Sequence, residues 1–208
     1  TGVDVEFFQP MAGEETANSL VFTGSMDWLP NEDAIFYFVE SILPLIKLQC
    51  PDVSLKVVGR SPSRKLQALA ETEKSIRLTG WVNDIRPFVA RGAVCIVPLR
   101  IGGGTRLKIF EAMAMGKAVV STSVGAEGLA VRPGENILLA DTPNDFAESV
   151  VTLLRDARRR EQLGTAARTL VQENYSWTRV ADDFAGTLQK VVGPSDPSGF
   201  QKVKDSTL

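Results

Sequence analysis

The sequence predicts an α/β domain: a parallel six-stranded sheet with helices on both faces. Two observations support this prediction. Short apolar runs typical of buried strands alternate with segments whose apolar residues recur at helical spacing. Most of these runs end in glycine, and the loops that follow would gather at the carboxyl edge of a parallel sheet, where such folds bind their ligands.

The composition is that of a globular protein. The chain has 208 residues, of which 44% are hydrophobic and 23% charged, enough for one good-sized domain. We expect residues 1–18 to be a linker leading into the domain, residues 19–192 to form the domain, and residues 193–208, rich in proline, serine and glycine, to be a disordered tail. Because the chain starts at Thr1 rather than at a methionine, we expect a natural N-terminal part to be missing.

Charge and composition exclude several classes of function. A formal net charge of −2 argues against a surface that binds nucleic acid or an anionic membrane. The chain has no histidine, which excludes Ser-His-Asp and Cys-His nucleophiles and leaves no predicted metal site. Cys50 and Cys95 lie far apart in apolar surroundings, so we expect reduced thiols in a cytoplasmic protein, with a disulfide as the alternative. No apolar run approaches the ~20 residues that span a bilayer.

The first half of the chain supplies three strands, each followed by a helix. Proline and acidic residues open the first helix, and Pro44 should kink it or begin its last turns. The predicted strands are Leu20–Thr23, Val53–Val58 and Ile76–Thr79, and the predicted helices are Pro30–Ile46, Pro62–Thr72 and Asn83–Ala90.

The second half repeats the alternation and adds helices at its end. The densely charged run Arg155–Gln172 is predicted to be a solvated helix face, and Ser176 the N-cap of a last helix. The predicted strands are Ala93–Pro98, Ala118–Thr122 and Asn136–Leu139, and the predicted helices between and after them are Thr105–Met115 and Pro143–Leu154.

A glycine-rich loop follows the fourth strand. Gly102, Gly103 and Gly104 suit a loop whose backbone amides cradle an anion, because glycine leaves no Cβ between those amides and a ligand. Thr105 is the expected N-cap of the next helix, whose N-terminus would attract a phosphate group. An ordinary glycine turn before a capped helix is the alternative.

Charged residues on that helix strengthen the phosphate interpretation. Arg106 and Lys108 in its first turn would add positive charge, and Glu111 lies later on the same helix. The spacing of five between Arg106 and Glu111 does not decide whether both face one ligand. A nicotinamide site is disfavoured, since the first strand is followed by Gly24-Ser25-Met26 rather than G-x-G-x-x-G.

Four segments resemble a known family. They are residues 1–10, the strand and loop Val21–Gly24, the segment Ile76–Pro87 with the turn Leu78–Val82, and above all Arg106–Leu129, which contains the distinctive stretch Glu111–Gly128. From Thr1 to about Val192 the chain is similar to the C-terminal, donor-binding domain of a family 4 (group 1) retaining glycosyltransferase. The resemblance implies a Rossmann-like domain that is one half of a GT-B architecture.

This resemblance also implies a function. The domain would bind a nucleotide-diphospho-sugar, with no other cofactor and no metal, for retaining transfer to an acceptor held by a missing N-terminal domain. That missing half would also provide any association with a membrane surface, and the fragment alone should bind donor but transfer little. The alternatives are a non-catalytic nucleotide-binding module and a GT-B nucleotide-sugar epimerase.

The family pattern assigns roles to some residues and leaves one position vacant. Glu111 matches the second glutamate of an E-x7-E motif, which bonds the ribose hydroxyls of the nucleotide. The first glutamate would fall at Gly103, so we expect the backbone amides from Gly102 to Thr105 to serve the sugar instead.

Diphosphate-binding cations are also missing from their family positions. Ser25, after Gly24, stands where many relatives carry an arginine, and Pro30 or Asn31 falls near a lysine of the family. We therefore hypothesise that Arg106 and Lys108 take over as counter-charges of the diphosphate.

The base is expected beside the loops after the second and third strands. Trp81 and Val82 match the turn that flanks the nucleobase in the family, with core packing as the alternative for Trp81. Arg60 is a candidate for the base or ribose, with an ordinary surface cation as the alternative.

Overall fold

A single parallel sheet organises the protein. The computed structural model describes residues 2–13, 15–102, 104 and 106–192. Within these residues six strands pair in the order β3-β2-β1-β4-β5-β6, and every pairing is parallel. This confirms the predicted fold class. The strands are β1 Ser19–Thr23, β2 Ser54–Val58, β3 Ile76–Leu78, β4 Val94–Val97, β5 Val119–Ser121 and β6 Leu138–Leu139.

Helices cover the sheet on both faces. On one side α6 packs against α2, and on the other α5 packs against α7. The chain order reverses between β1 and β4, which opens a crevice at the carboxyl ends of these strands. The helices are α1 Leu29–Tyr37, α2 Leu43–Lys47, α3 Arg64–Thr72, α4 Arg86–Arg91, α5 Leu107–Ala114, α6 Pro143–Arg155, α7 Ala157–Asn174 and α8 Trp177–Val192.

The core lies on the central strands. All four residues of β4 are buried, and Phe22 of β1 and Phe38 are almost completely inaccessible to solvent. Continuous apolar runs are typical of parallel strands that helices cover on both sides. Cys50 and Cys95 are both buried free thiols, as expected from the sequence.

Pro44 changes the helical geometry before it. A π-helical turn, Phe38–Ile42, joins α1 to α2, and the N–H of Leu43 donates to the carbonyl of Phe38. Proline has no N–H, and its ring clashes with the carbonyl four residues earlier in a regular α-helix, so a wider turn is accommodated there. The predicted irregularity at Pro44 is therefore a π-helical turn inside one long helical segment.

The charged run after α6 is only partly a solvated face. Arg158 is exposed, as predicted, but the Arg160 side chain is 15% exposed and donates to the carbonyls of Leu153 and Leu154. The prediction is wrong for Arg160 because its guanidinium packs on the C-terminal end of α6 and pairs with Glu15. Helix α7 also packs on α5 and buries Leu163, Gly164, Ala167 and Val171.

Several predicted boundaries shift by a few residues. Helix α5 begins at Leu107, with Arg106 in the N-cap position, and Thr105 lies outside the described residues. Thr142 rather than Pro143 caps α6, and Ser176 caps α8 as predicted. Strand β6 is shorter than predicted because the Asn136 side chain accepts from the N–H of Arg132 in the preceding turn. The predicted tail, residues 193–208, and Gly103 also lie outside the described residues.

The segment before β1 packs on the domain. Val3 is buried and pairs with Ser176, next to α8. The carboxylate of Glu15 accepts from Lys117 and Arg160, so it joins the segment to α7 and to the turn before β5. Of the helices that the structure describes, none combines the length and apolar character needed to cross a bilayer.

Candidate functional site

Three loops are held together at the carboxyl ends of β1, β2 and β3. The N–H of Gly24 donates to Val58 and that of Met26 to Arg60, which joins the first loop to the second. Gly59 pairs with Gly80, which joins the second loop to the third. A Cβ on Gly59 would lie 1.7 Å from the carbonyl oxygen of Gly24, so only glycine allows this approach.

A cavity of about 330 Å³ lies between these loops and α5. Seven of the predicted site residues line it, although they come from four separate parts of the chain. They are Gly24, Ser25, Arg60, Trp81, Val82, Lys108 and Glu111. The structure therefore brings together most of the residues that the sequence singled out.

Lys108 is a half-buried cation in the wall of this cavity. Its Nζ lies 2.5 Å from Oδ1 of Asn31 and 4.2 Å from the centre of the Phe22 ring. Burial is the main cause that lowers the pKa of Lys108 to about 7; the carboxylate of Glu111 opposes this shift and Arg106 adds to it. The ammonium group is consequently poised to be stabilised by an incoming anion.

Glu111 follows Lys108 by three residues on α5, so the two side chains share a helix face. Burial raises the pKa of Glu111, and Lys108 lowers it in part. An ionised carboxylate accepts hydrogen bonds from two neighbouring hydroxyls, whereas an ammonium group donates to phosphate oxygens. The α5 face thus presents one group for a diol and one for an anion.

Arg60 and Trp81 form the rim of the cavity. Arg60 Nε donates to Ser25 Oγ at 2.9 Å, and Ser25 Oγ donates to Oδ1 of Asp27 at 2.5 Å. The side chain of Trp81 is 70% exposed, which excludes the core-packing interpretation of this residue. Its indole is available to a planar ligand at the rim.

Arg106 points away from this cavity. Its Nη2 donates to the carbonyls of Gly102 at 3.1 Å and Val124 at 2.9 Å, and it lies 3.7 Å from Oε2 of Glu127. With Gly104 and Glu127 it lines a second cavity, of about 290 Å³. Arg106 and Lys108 therefore line different cavities, because Arg106 precedes the first helical residue and turns toward the loop after β5.

Gly102 separates Arg106 from α1. A Cβ on Gly102 would lie 3.2 Å from Nη1 of Arg106 and 3.3 Å from Cβ of Pro30. Nearby, Arg100 holds Asp33 through Nε and Nη2, so the segment between β4 and α5 is anchored to α1 as well. Gly102 is therefore held between Arg106 and α1.

The sequence interpretation gave no role in the cavities to two residues, Asn31 and Glu127. Asn31 is only 7% exposed; its Nδ2 donates to the carbonyl of Ser25 while its Oδ1 accepts from Lys108. Its place in the first turn of the helix after β1 was the available signal. Glu127 had no such signal, since its approach to Arg106 depends on how the loop after β5 folds.

Comparison with known proteins identifies the family. Residues 17–156 match the family model described as "Glycosyl transferases group 1". A curated relative is the phosphatidyl-myo-inositol mannosyltransferase of Mycobacterium tuberculosis, which is 27% identical over 205 residues, covering 92% of this chain and 53% of the relative. The chain spans about half the length of this relative.

Solved structures share the fold. Sucrose-phosphate synthase from Thermosynechococcus elongatus superposes with a TM-score of 0.74 at 22% identity, over 92% of this chain and 51% of that one. Anabaena HepE, in complex with UDP and glucose, superposes with a TM-score of 0.73 at 18% identity, over 90% of this chain and 55% of that one.

Proposed function

The chain belongs to the group 1 glycosyl transferases, and we propose that it is the donor-binding part of a glycosyltransferase and holds a nucleotide-diphospho-sugar. The observation that carries the proposal is the pair Lys108 and Glu111, which faces one cavity at the topological switch point of the sheet. A cation for a phosphate and a carboxylate for a diol are the two groups that a nucleoside diphosphate requires.

Glu111 would bind the ribose. Its carboxylate can accept from the two vicinal hydroxyls, and burial strengthens such charged hydrogen bonds. The exposed indole of Trp81 and the neighbouring Val82 would flank the base at the rim, with Arg60 within the same cavity wall. The nucleoside would thus lie against the loops after β2 and β3.

Lys108 would balance the charge of the diphosphate. Departure of the nucleoside diphosphate leaves negative charge on its terminal phosphate, and a cation already positioned in the cavity would stabilise that charge without a metal ion. Asn31, the residue near which the family carries a lysine, is the residue that holds the Lys108 ammonium. This contact supports the hypothesis that a lysine from α5 replaces the missing one from α1.

Arg106 would act indirectly. Its guanidinium bonds Gly102 and Val124, so it would hold the glycine loop in place for the diphosphate and the sugar. Gly104 lines the same cavity as Arg106, and its backbone would contact the sugar in place of the glutamate that is absent at Gly103. In this proposal Arg106 is a positioning residue.

The complete reaction needs more than this chain. We propose that a second domain supplies the acceptor, and any contact with a membrane surface, and that transfer retains the anomeric configuration in the cytoplasm. The relatives support the transfer chemistry: the M. tuberculosis relative bears the name of a mannosyltransferase, and HepE was crystallised with UDP and glucose.

Calorimetric titration tests the donor site. We expect one of UDP, GDP or ADP to bind and its nucleotide-sugar to bind more tightly. Glu111→Gln should weaken nucleotide binding at least tenfold, since a charged hydrogen-bonding group contributes about 1.5–3 kcal/mol. The matched control is Glu161→Gln, which removes an exposed carboxylate on α7.

The other outcomes separate the alternatives. Binding of nucleotide with no gain from the sugar would favour a non-catalytic nucleotide-binding module. Conversion of the bound nucleotide-sugar into its epimer would favour an epimerase. If no nucleotide binds, or if Glu111→Gln and Glu161→Gln behave alike, the proposed donor site is wrong.

A further inference from the structure

A third cavity lies at the amino-terminal edge of the sheet, opposite the edge that carries the proposed donor site. It has a volume of about 170 Å³ and opens beside the amino-terminal residues of β1 and β2, among them Ser19 and Ser54. The donor cavity lies beyond Thr23 and Val58, at the other ends of the same strands. The two cavities are therefore separated by the length of the strands.

Two cations lie side by side on the sheet in this cavity. Lys56 of β2 is in register with Arg77 of β3 on one flank and with Val21 of β1 on the other. Partners in register on parallel strands project from the same face, and neighbouring strands are about 4.8 Å apart. Like charges placed directly opposite one another destabilise a sheet, so a nearby negative charge would stabilise this pair.

Arg91 adds a third cation from above the sheet. It is the last residue of α4, and it lines the cavity together with Lys56 and Arg77. Gly92 lets this end of α4 lie directly on β1, because a Cβ there would come within 2.6 Å of Cγ1 of Val21. The hydroxyl of Ser19 shares its proton between the carbonyls of Thr16 and Arg91. It thereby ties the start of β1 to the end of α4 in the cavity wall.

Among the residues that the structure describes, no carboxylate forms an ion pair with these three cations. The cavity lining contains no aspartate or glutamate, and none of the ion pairs found in residues 2–13, 15–102, 104 and 106–192 includes Lys56, Arg77 or Arg91. Elsewhere in the described part of the chain, Lys47 is paired with Glu73 and Arg86 with Asp84. Lys56 Nζ instead lies 5.6 Å from the centre of the Phe88 ring.

We propose that this cavity binds a phosphate-sized dianion between Lys56, Arg77 and Arg91. A guanidinium group binds two phosphate oxygens at once, and an ammonium group beside it adds a point charge. The hydroxyls of Ser19 and Ser54 and the half-buried Phe88 give the cavity polar and apolar walls, as a phosphorylated small molecule would require. The site is independent of the donor site and does not rest on its assignment.

Inorganic phosphate and pyrophosphate are the probes for this site. Binding is measured by 31P NMR line broadening at constant ionic strength, with chloride as the competing anion. We expect Arg77→Gln, Arg91→Gln and Lys56→Gln each to weaken phosphate binding at least fivefold. Lys65→Gln, which removes an exposed cation on α3 outside the cavity, is the matched control and should leave binding unchanged.

A second measurement guards against misfolding and against binding at the donor site. Without phosphate at low ionic strength, the thermal midpoint of Arg77→Gln should equal or exceed that of the parent, because one repulsive charge is gone. In the Lys108→Met background, which lacks the cation of the proposed donor site, phosphate binding should persist and Arg77→Gln should still weaken it at least fivefold. Equal phosphate binding by Arg77→Gln, Arg91→Gln and Lys65→Gln, or loss of binding in Lys108→Met alone, would overturn the proposal.

Vesicles distinguish the source of the phosphate group. If the cavity binds soluble phosphorylated molecules, phosphate binding should persist when vesicles of neutral phosphatidylcholine are added. The protein should then not bind vesicles that contain phosphatidic acid. Sedimentation with phosphatidic acid vesicles that Arg77→Gln abolishes would assign the same cavity to a lipid headgroup. Sedimentation that Arg77→Gln and Lys65→Gln reduce alike would contradict a lipid site at this cavity.

Discussion

The ammonium group of Lys108 on α5 donates to the side-chain oxygen of Asn31 on α1, at 2.5 Å. The same amide group donates to the carbonyl of Ser25, in the loop after β1. Two helices and a loop therefore meet at one half-buried cation in the wall of the cavity. The position and the protonation of Lys108 lead to the first two predictions.

Lys108→Met should separate phosphate recognition from nucleoside recognition. We expect affinity for a nucleoside diphosphate to fall at least tenfold, because charged hydrogen bonds contribute about 1.5–3 kcal/mol, and affinity for the bare nucleoside to stay within about twofold. Calorimetry with both ligands measures the difference. The control is Lys65→Met on the exposed face of α3; an equal loss for nucleoside and diphosphate in Lys108→Met would contradict the assigned contact.

Stability should rise with pH above neutrality because of Lys108. Its pKa is about 7 in the folded protein, below that of an unfolded lysine near 10.4, so the unfolded state binds more protons between these values. The free energy of unfolding should then increase by up to about 1.4 kcal/mol per pH unit from pH 7 to 10, relative to Lys108→Met. Urea unfolding of both proteins across this range measures it, and parallel curves would refute the lowered pKa.

Glu111→Gln should weaken nucleotide binding while making the protein more stable. Burial raises the pKa of Glu111, so the folded state disfavours the ionised form, and stability is lost as pH rises through that raised value. We expect the parent to lose stability relative to Glu111→Gln as pH rises through that raised pKa and to remain less stable above it. Thermal unfolding without ligand tests this; a variant that is less stable at every pH would assign Glu111 a structural role.

Gly164→Ala and Gly186→Ala should have opposite effects, although both glycines lie in helices. Alanine stabilises an exposed helix by about 0.5–1 kcal/mol relative to glycine, so Gly186→Ala, with no atom within 4 Å of its new Cβ, should stabilise α8. At Gly164 the Cβ would lie 2.0 Å from the carbonyl oxygen of Gly116. We expect Gly164→Ala to destabilise by about 2 kcal/mol or more in chemical unfolding; stabilisation by both would show that α7 does not pack closely on this turn.

Arg106→Met should destabilise the loop after β5 and the glycine loop together. The side chain is 7% exposed and bonds Gly102 and Val124, so its loss leaves two carbonyls without these bonds and costs about 2–3 kcal/mol. Arg158→Met, which removes an exposed charge on α7, should change stability by less than about 0.5 kcal/mol. Hydrogen exchange in residues 119–128 locates the effect. Unchanged exchange there, with lower diphosphate affinity, would instead favour direct contact with the ligand.

The sequence predicted the fold well because its signals are local. Apolar runs, helical spacing and glycine at strand ends placed all six strands, and the order of elements predicted a parallel sheet. Boundaries moved where a side chain intervened, as Asn136 does before β6. The charged run was misjudged at Arg160 because exposure of a helix face depends on what packs against it, here the end of α6 and Glu15.

The sequence by itself also determined which residues to examine at the site, through a glycine loop, two cations and one carboxylate within ten residues of each other. Only the tertiary structure decided which of them line one cavity. Arg106 and Lys108 are two residues apart, yet the start of α5 between them directs the first to Val124 and the second to Asn31. Asn31 lies 77 residues from Lys108 in sequence, and nothing local encodes that contact. It arises because β1 and β4 are neighbours in the sheet, so the segments that follow them meet at the same edge.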